Sequence, residues 1–296
     1  LSSNFINEAE DIENADVQFV VGIPNFKYST SLSPLVSSAS FQDLTKMLHG
    51  FAPAYQWNAG SGTTATNNNG FVASTVSANQ TSGFSVVTYT GNGSNSSVGH
   101  GLGVAPSMII CKSRSASNSW VVGHSGLTNW SYFLNLNNTQ SQTSASTVFN
   151  STAPTSTVFS LGSDGTANGN GATNIAYCWA AIPGFSAFGS YTGNGSTDGP
   201  FVYTGFRPKF VMTKKTNSTS GWGMIDTSIN PYNQATTYLQ ANTSNATVGG
   251  TSANGLDFTS NGFKIRSSDA SFNENNGDTY IYMAFAENPF KYSLAR

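Results

Sequence analysis

The hexapeptide Tyr89-Thr90-Gly91-Asn92-Gly93-Ser94 recurs as Tyr191-Thr192-Gly193-Asn194-Gly195-Ser196, 102 residues farther along the chain. At that spacing Gly103 and Pro106 align with Gly205 and Pro208, Lys112 with Lys214, and Trp120 with Trp222, with no gap. The spacing then widens to 104 at Phe159 and Phe263 and to 106 at Ile175 and Ile281, which places small insertions in loops. Each copy closes on an alternating segment, Ile175-Ala176-Tyr177-Cys178-Trp179-Ala180 or Ile281-Tyr282-Met283-Ala284-Phe285-Ala286, with Pro183 or Pro289 after it. A period near a hundred residues exceeds the roughly 20–50 of solenoid and propeller units and has the size of a complete sandwich domain.

Inside each copy, apolar runs of strand length alternate with turn signals. Phe84 to Tyr89, Ser107 to Cys111 and Trp120 to Val122 are such runs in the first copy, and the second reads the same way through Pro200 to Tyr203, Lys209 to Thr213 and Gly221 to Ile225. Neither copy shows a helical period. The fold class is therefore all-β: two tandem antiparallel β-sandwich domains, residues 83–182 and 183–296, behind a mostly irregular N-terminal arm, residues 1–82. In that arm Phe41, Leu44, Leu48 and Phe51 recur at three- and four-residue spacing with Gly50 as a stop, predicting one short helix near residues 41–50. Five of the 14 acidic residues fall in the first 16 positions, the pattern of a solvated or partner-facing segment.

Composition excludes several classes of function. Only 9% of the residues are charged, against the roughly one quarter of ordinary globular domains. The 20 Phe, 12 Tyr and 5 Trp argue for packed cores rather than disorder. A net charge of -2 with scattered Lys and Arg provides no field for a polyanion, so no nucleic acid partner is expected. No run of 18 apolar residues occurs, so no membrane insertion is expected. The two cysteines, Cys111 and Cys178, lie in apolar runs and read as buried free thiols. The first residues carry no charged-then-apolar leader, which fits a processed product or a fragment.

Catalysis has little to build on. The three histidines, His49, His100 and His124, do not recur between copies, and no Gly-x-Ser-x-Gly elbow presents a nucleophile. The acids of the repeat region, among them Asp164, Asp198, Asp226 and Asp257, stand in turn contexts where Asp is favoured for backbone hydrogen bonds. Asp269, Glu274 and Asp278 supply oxygens within one loop, but without a calcium-loop pattern. No catalytic residue, cofactor or metal site is assigned. Trp120 and Trp222, repeated in register, read as core. Trp130 (in TNWSY) and Tyr232 (in INPYN), at comparable places in polar loops, are the candidate ligand-binding rings.

The segments Tyr191 to Gly195, Asp198 to Tyr203, Gly205-Phe206-Arg207-Pro208 and Tyr280 to Tyr292, with Val98 to Pro106 in the first copy, closely resemble a domain widespread in tailed phages, especially those of marine and cyanobacterial hosts. The resemblance covers roughly Trp57 to Arg296. It implies a jelly-roll, lectin-like sandwich of the concanavalin type in two tandem copies, placed in the virion, with no catalytic motif to carry over. The expectation that follows is a bacteriophage virion structural protein: a tail fibre or its C-terminal part that exposes loops to host cell-surface glycan. A capsid decoration or other architectural protein is the alternative, and a polysaccharide depolymerase a third. Expected partners are other copies of the chain as a homotrimer, and other virion proteins through residues 1–82.

Overall fold

The computed structural model describes residues 18–19, 55–60, 63–245, 247–249 and 255–289. The helix expected near residues 41–50 and the acidic start of the chain lie outside them. Strands β1 (Gln18–Phe19) and β2 (Tyr55–Gln56) form a small antiparallel ribbon. In the first half follow β3 (Ala65–Asn67), β4 (Ser74–Asn79), β5 (Phe84–Thr90), β6 (Ser96–Gly99), β7 (Met108–Ser113), β8 (Val121–His124), β9 (Tyr132–Asn135), β10 (Thr143–Ser144), β11 (Val158–Leu161) and β12 (Thr173–Trp179). The second half holds β13 (Ser186–Asn194), β14 (Phe201–Tyr203), β15 (Pro208–Lys215), β16 (Trp222–Asp226), β17 (Thr237–Gln240), β18 (Val248–Gly249), β19 (Leu256–Thr259), β20 (Gly262–Ile265) and β21 (Asn276–Ala286).

The strand orders repeat as the sequence does. The larger sheet of the first half runs β10-β9-β8-β7-β12-β5-β4-β3, and that of the second runs β13-β21-β15-β16-β17-β18. Reversing the second order aligns β5 with β13, β12 with β21 and β7 with β15. Each half adds a small outer sheet, β11-β6 in the first and β14-β20-β19 in the second. Every strand pair within these sheets is antiparallel.

Side-chain alternation divides the interior into three cores. On β12, Ile175, Tyr177 and Trp179 point one way, while Ala176 and Cys178 point the other; β7 sends Met108 and Ile110 one way and Ile109 and Cys111 the other. The second set joins Phe159 and Leu161 of the outer sheet in an outer core. The matching outer core of the second half gathers Tyr191, Val211, Phe263, Ile265 and Tyr282. The remaining faces meet each other, because Phe84, Trp120, Tyr177 and Trp179 share one cluster with Phe210, Met212, Trp222 and Met283. The larger sheets are thus buried on both faces, and the two sandwiches stack into four layers with a common central core.

Polar contacts cross the same seam. The Trp222 indole N–H donates to the Asn135 carbonyl at 3.0 Å, and the Gln142 amide donates to the Thr216 carbonyl at 2.8 Å. Trp57 closes one end of the seam, with ring centroids 5.7 Å from Trp179 and 6.2 Å from Phe210.

Two details differ from the sequence reading. The first sheet begins before residue 83, since β3 and β4 extend it past β5; this hairpin has no counterpart in the second copy, so the repeat could not reveal it. Two single helical turns, Ser146–Phe149 and Gly165–Asn168, interrupt the strands. The second is capped by Asp164, whose carboxylate accepts from the Thr166 amide at 2.8 Å, and four residues are too few for a legible helical period.

Trp222 is 1% exposed and touches both halves. Trp222→Ala is expected to destabilise the whole chain by about 3–5 kcal/mol, read as a lower urea midpoint with the far-UV circular dichroism and fluorescence transitions still superimposed.

Candidate functional site

The repeated hexapeptide is the first place to look for a site, and its geometry is that of a structural clamp. In the first copy fully buried Asn168 accepts from the Asn92 amide at 3.0 Å and donates to the carbonyls of Ser94 (2.8 Å) and Gly162 (2.7 Å). In the second, fully buried Asn273 accepts from the amides of Asn194 (2.7 Å) and Gly195 (3.2 Å) and donates to the Ser196 carbonyl at 2.7 Å. A Cβ at Gly91 would collide with the Gly169 carbonyl, and Gly93 and Gly195 take φ of +67° and +68°. Tyr89 and Tyr191 anchor the preceding strands by donating to the carbonyls of Ala167 (2.6 Å) and Phe272 (2.8 Å). The tyrosine hydroxyls and the clamped backbone amides of the motif are thus committed to the fold.

The two candidate rings part company. Trp130 is half-buried against the outer core of the first half, edge-on to Phe149 at 5.7 Å, so it is a packing residue. Tyr232 is 82% exposed. The loop that carries it is held by three side-chain amides. Asn230 accepts from the amides of Thr236 and Thr237, Asn233 exchanges hydrogen bonds with the backbone of Phe258, and Gln234 donates to the Arg266 carbonyl at 2.9 Å. Such a loop holds the Tyr232 backbone in place, which limits the entropy that the loop loses on binding.

That loop borders the solvent face of the outer sheet β14-β20-β19, where a chain of opposite charges runs. Lys264 pairs with Asp198 at 2.9 Å, Asp198 with Arg266 at 3.1 Å, and Arg266 with Asp257 at 2.7 Å. Hydrogen bonding from Lys264, then its charge, holds the Asp198 carboxyl below its usual pKa. Asp198 is 78% exposed, so its remaining lone pairs face water. In a protein this poor in charge, every ion pair among the described residues lies in the second half. The sequence singles out Tyr232 as a ring in a polar loop but gives no sign that Asp198, Asp257, Lys264 and Arg266 line up, because turn-forming acids and isolated cations look alike whether or not the fold brings them together.

The sequence pattern of a family described as Domain of unknown function (DUF7483) matches residues 49–289. The chain belongs to that family. No curated protein and no solved structure matches it. The match runs through both halves as one stretch, as does the central core that joins them.

Elsewhere in the DUF7483 domain the titratable groups serve the fold. Glu274 and Asp278, the loop acids that lack a calcium-loop pattern, hold the Lys215 ammonium, each at 2.6 Å; among the described residues no cluster of metal-binding side chains occurs. Burial works against the Lys215 ammonium and the Asp278 carboxylate, but their mutual hydrogen bond and further partners outweigh it, raising the first pKa and lowering the second. Cys111 and Cys178 are buried free thiols of the first outer core, and burial pushes Cys111 up to about 12.

His100 and His124 use one design. The Nε2 of each faces a carbonyl, Thr155 or Tyr282, and its Nδ1 accepts a nearby backbone N–H, from Leu102 or Gly126. Both rings are therefore neutral, and burial lowers both pKa values, that of His124 to about 4. The unfolded chain takes up these protons near pH 6.5 and the folded chain does not, so stability is expected to fall as pH drops from about 6.5 towards 4. His124→Gln should flatten that fall in urea titrations across pH. Asn273→Ala, which strands buried amides, is expected to cost about 3 kcal/mol in the same assay.

Proposed function

We propose that this chain is a bacteriophage virion protein of the particle surface, a tail fibre or its C-terminal part, and that it binds host cell-surface glycan with the outer face of its second half. The observation that carries the reading is exposed Tyr232, on a loop hydrogen-bonded to the backbone of Phe258 and Arg266, next to the Asp198, Lys264, Arg266 and Asp257 chain. An aromatic face stacks on the apolar face of a sugar ring, while ionised side chains make the stronger class of hydrogen bond to its hydroxyls. Placement in a virion is supported by the resemblance of the repeat segments to tailed-phage domains and by the charge-poor, hydroxyl-rich composition. The reading assigns no catalysis, because both described histidines are committed to backbone contacts.

A glycan array probed with the full chain, followed by calorimetric titration of the best ligand, tests this. Tyr232→Ala should weaken binding at least about tenfold, about 1.4 kcal/mol, with the melting temperature unchanged because the side chain is exposed. Trp130→Ala should lower the melting temperature and leave affinity intact. A folded chain that binds no glycan, or binding indifferent to Tyr232, would overturn the reading.

A further inference from the structure

The two halves differ at one flank, and the difference identifies a partner. In the first half β4 pairs along the outer edge of β5, and residues 70–72 cover the edge of β6: the Val72 amide donates to the Ser97 carbonyl at 2.9 Å, and the Ser74 hydroxyl donates to the Gly99 carbonyl at 2.8 Å. The equivalent strands of the second half, β13 and β14, are sheet edges among the described residues. Their outward groups follow from the register. The Ala286 amide donates to the Phe185 carbonyl, so alternate residues Ser190 and Thr192 turn their backbone groups away from β21, and both side chains are exposed. Likewise the Ile265 amide donates to the Pro200 carbonyl, which turns the backbone groups of Phe201 and Tyr203 away from β20.

Among the described residues the first half has an open flank as well. It consists of β3, the last strand of its larger sheet, with Phe71 standing 80% exposed beside the small sheet. The two flanks match layer for layer. Each offers an unpaired strand edge in the larger sheet and exposed aromatic surface in the smaller one, Phe71 on one side, Phe201 (47% exposed) and Tyr203 (67% exposed) on the other. Of the five large apolar side chains exposed among the described residues, these three lie on the two flanks. Neither residues 63–72 nor residues 186–196 contain a charged residue or a proline, the usual guards of an edge strand.

We propose that copies of this chain join head to tail, the β3 and Phe71 flank of one against the β13 and β14 flank of the next. The contact is heterologous, two different surfaces meeting, and builds a ring when its rotation closes, which is how a homotrimer would arise. It shares the outer sheet with the glycan site, since Phe201 stands opposite Lys264 in register, but it rests on the strand edges and not on Tyr232.

The test is the mass of the full chain by light scattering at micromolar concentrations, with Phe71→Lys and Tyr203→Lys, each altering one flank at an exposed position. The wild type is expected to be a closed oligomer and each variant a monomer, with unchanged circular dichroism. Mixing the variants leaves one intact flank of each kind, so the mixture should give a one-to-one dimer and nothing larger. Faster amide exchange at Ser190 and Thr192 should accompany dissociation. Phe71→Ser and Phe201→Ser serve as a second pair should a lysine variant fail to fold. A monomeric wild type, a Phe71 variant that still assembles, or a mixture that stays monomeric would each overturn the proposal.

Discussion

The structure depends on burying both faces of its two larger sheets. A sheet with one wet face reads as apolar alternating with polar, but β7 and β12 carry apolar side chains at nearly every position, and all of them are used. One set fills the outer core of its own half and the other meets the neighbouring half. Neither half could stand alone without exposing the row of Trp120, Tyr177 and Trp179, or that of Phe210, Met212 and Trp222, to water. The common core therefore makes one body of two repeats, and the family match across both is what such a body leads one to expect.

The same constraint decides where function can sit. The central strands of the larger sheets offer no face to a ligand, and the tyrosines and glycines of the repeated hexapeptide hold its own loop. What remains is the outer sheets, the loops that border them and the edges. The first half offers small side chains there, with Ser97 and Ser160 on its outer strands, whereas the second lines up four charges beside an exposed tyrosine. The two halves thus share the order of the central strands in their larger sheets and differ at their surfaces.

Much of this was legible in the chain. The 102-residue register located the paired strands, and the repetition of Trp120 as Trp222 marked them as core, because packing is shared by both copies. The common core was not legible. A tryptophan facing its own outer sheet and one facing the other half have the same neighbours in sequence. The Asn168 and Asn273 clamps were hidden because buried asparagines look like the many turn asparagines around them. Trp130 and Tyr232 stood in equivalent polar loops, and only the position of Phe149 separates a packed ring from a presented one. The β3 and β4 hairpin, lacking a repeat partner, was read as irregular arm, although Ser74, Val76 and Ser77 are buried.

The claim that one core unites the two repeats is open to direct measurement by scanning calorimetry of the full chain. A shared core requires a single transition whose calorimetric and van't Hoff enthalpies agree. Two separable transitions, each carrying about half of the enthalpy, would contradict it and return the halves to independent sandwiches on a string.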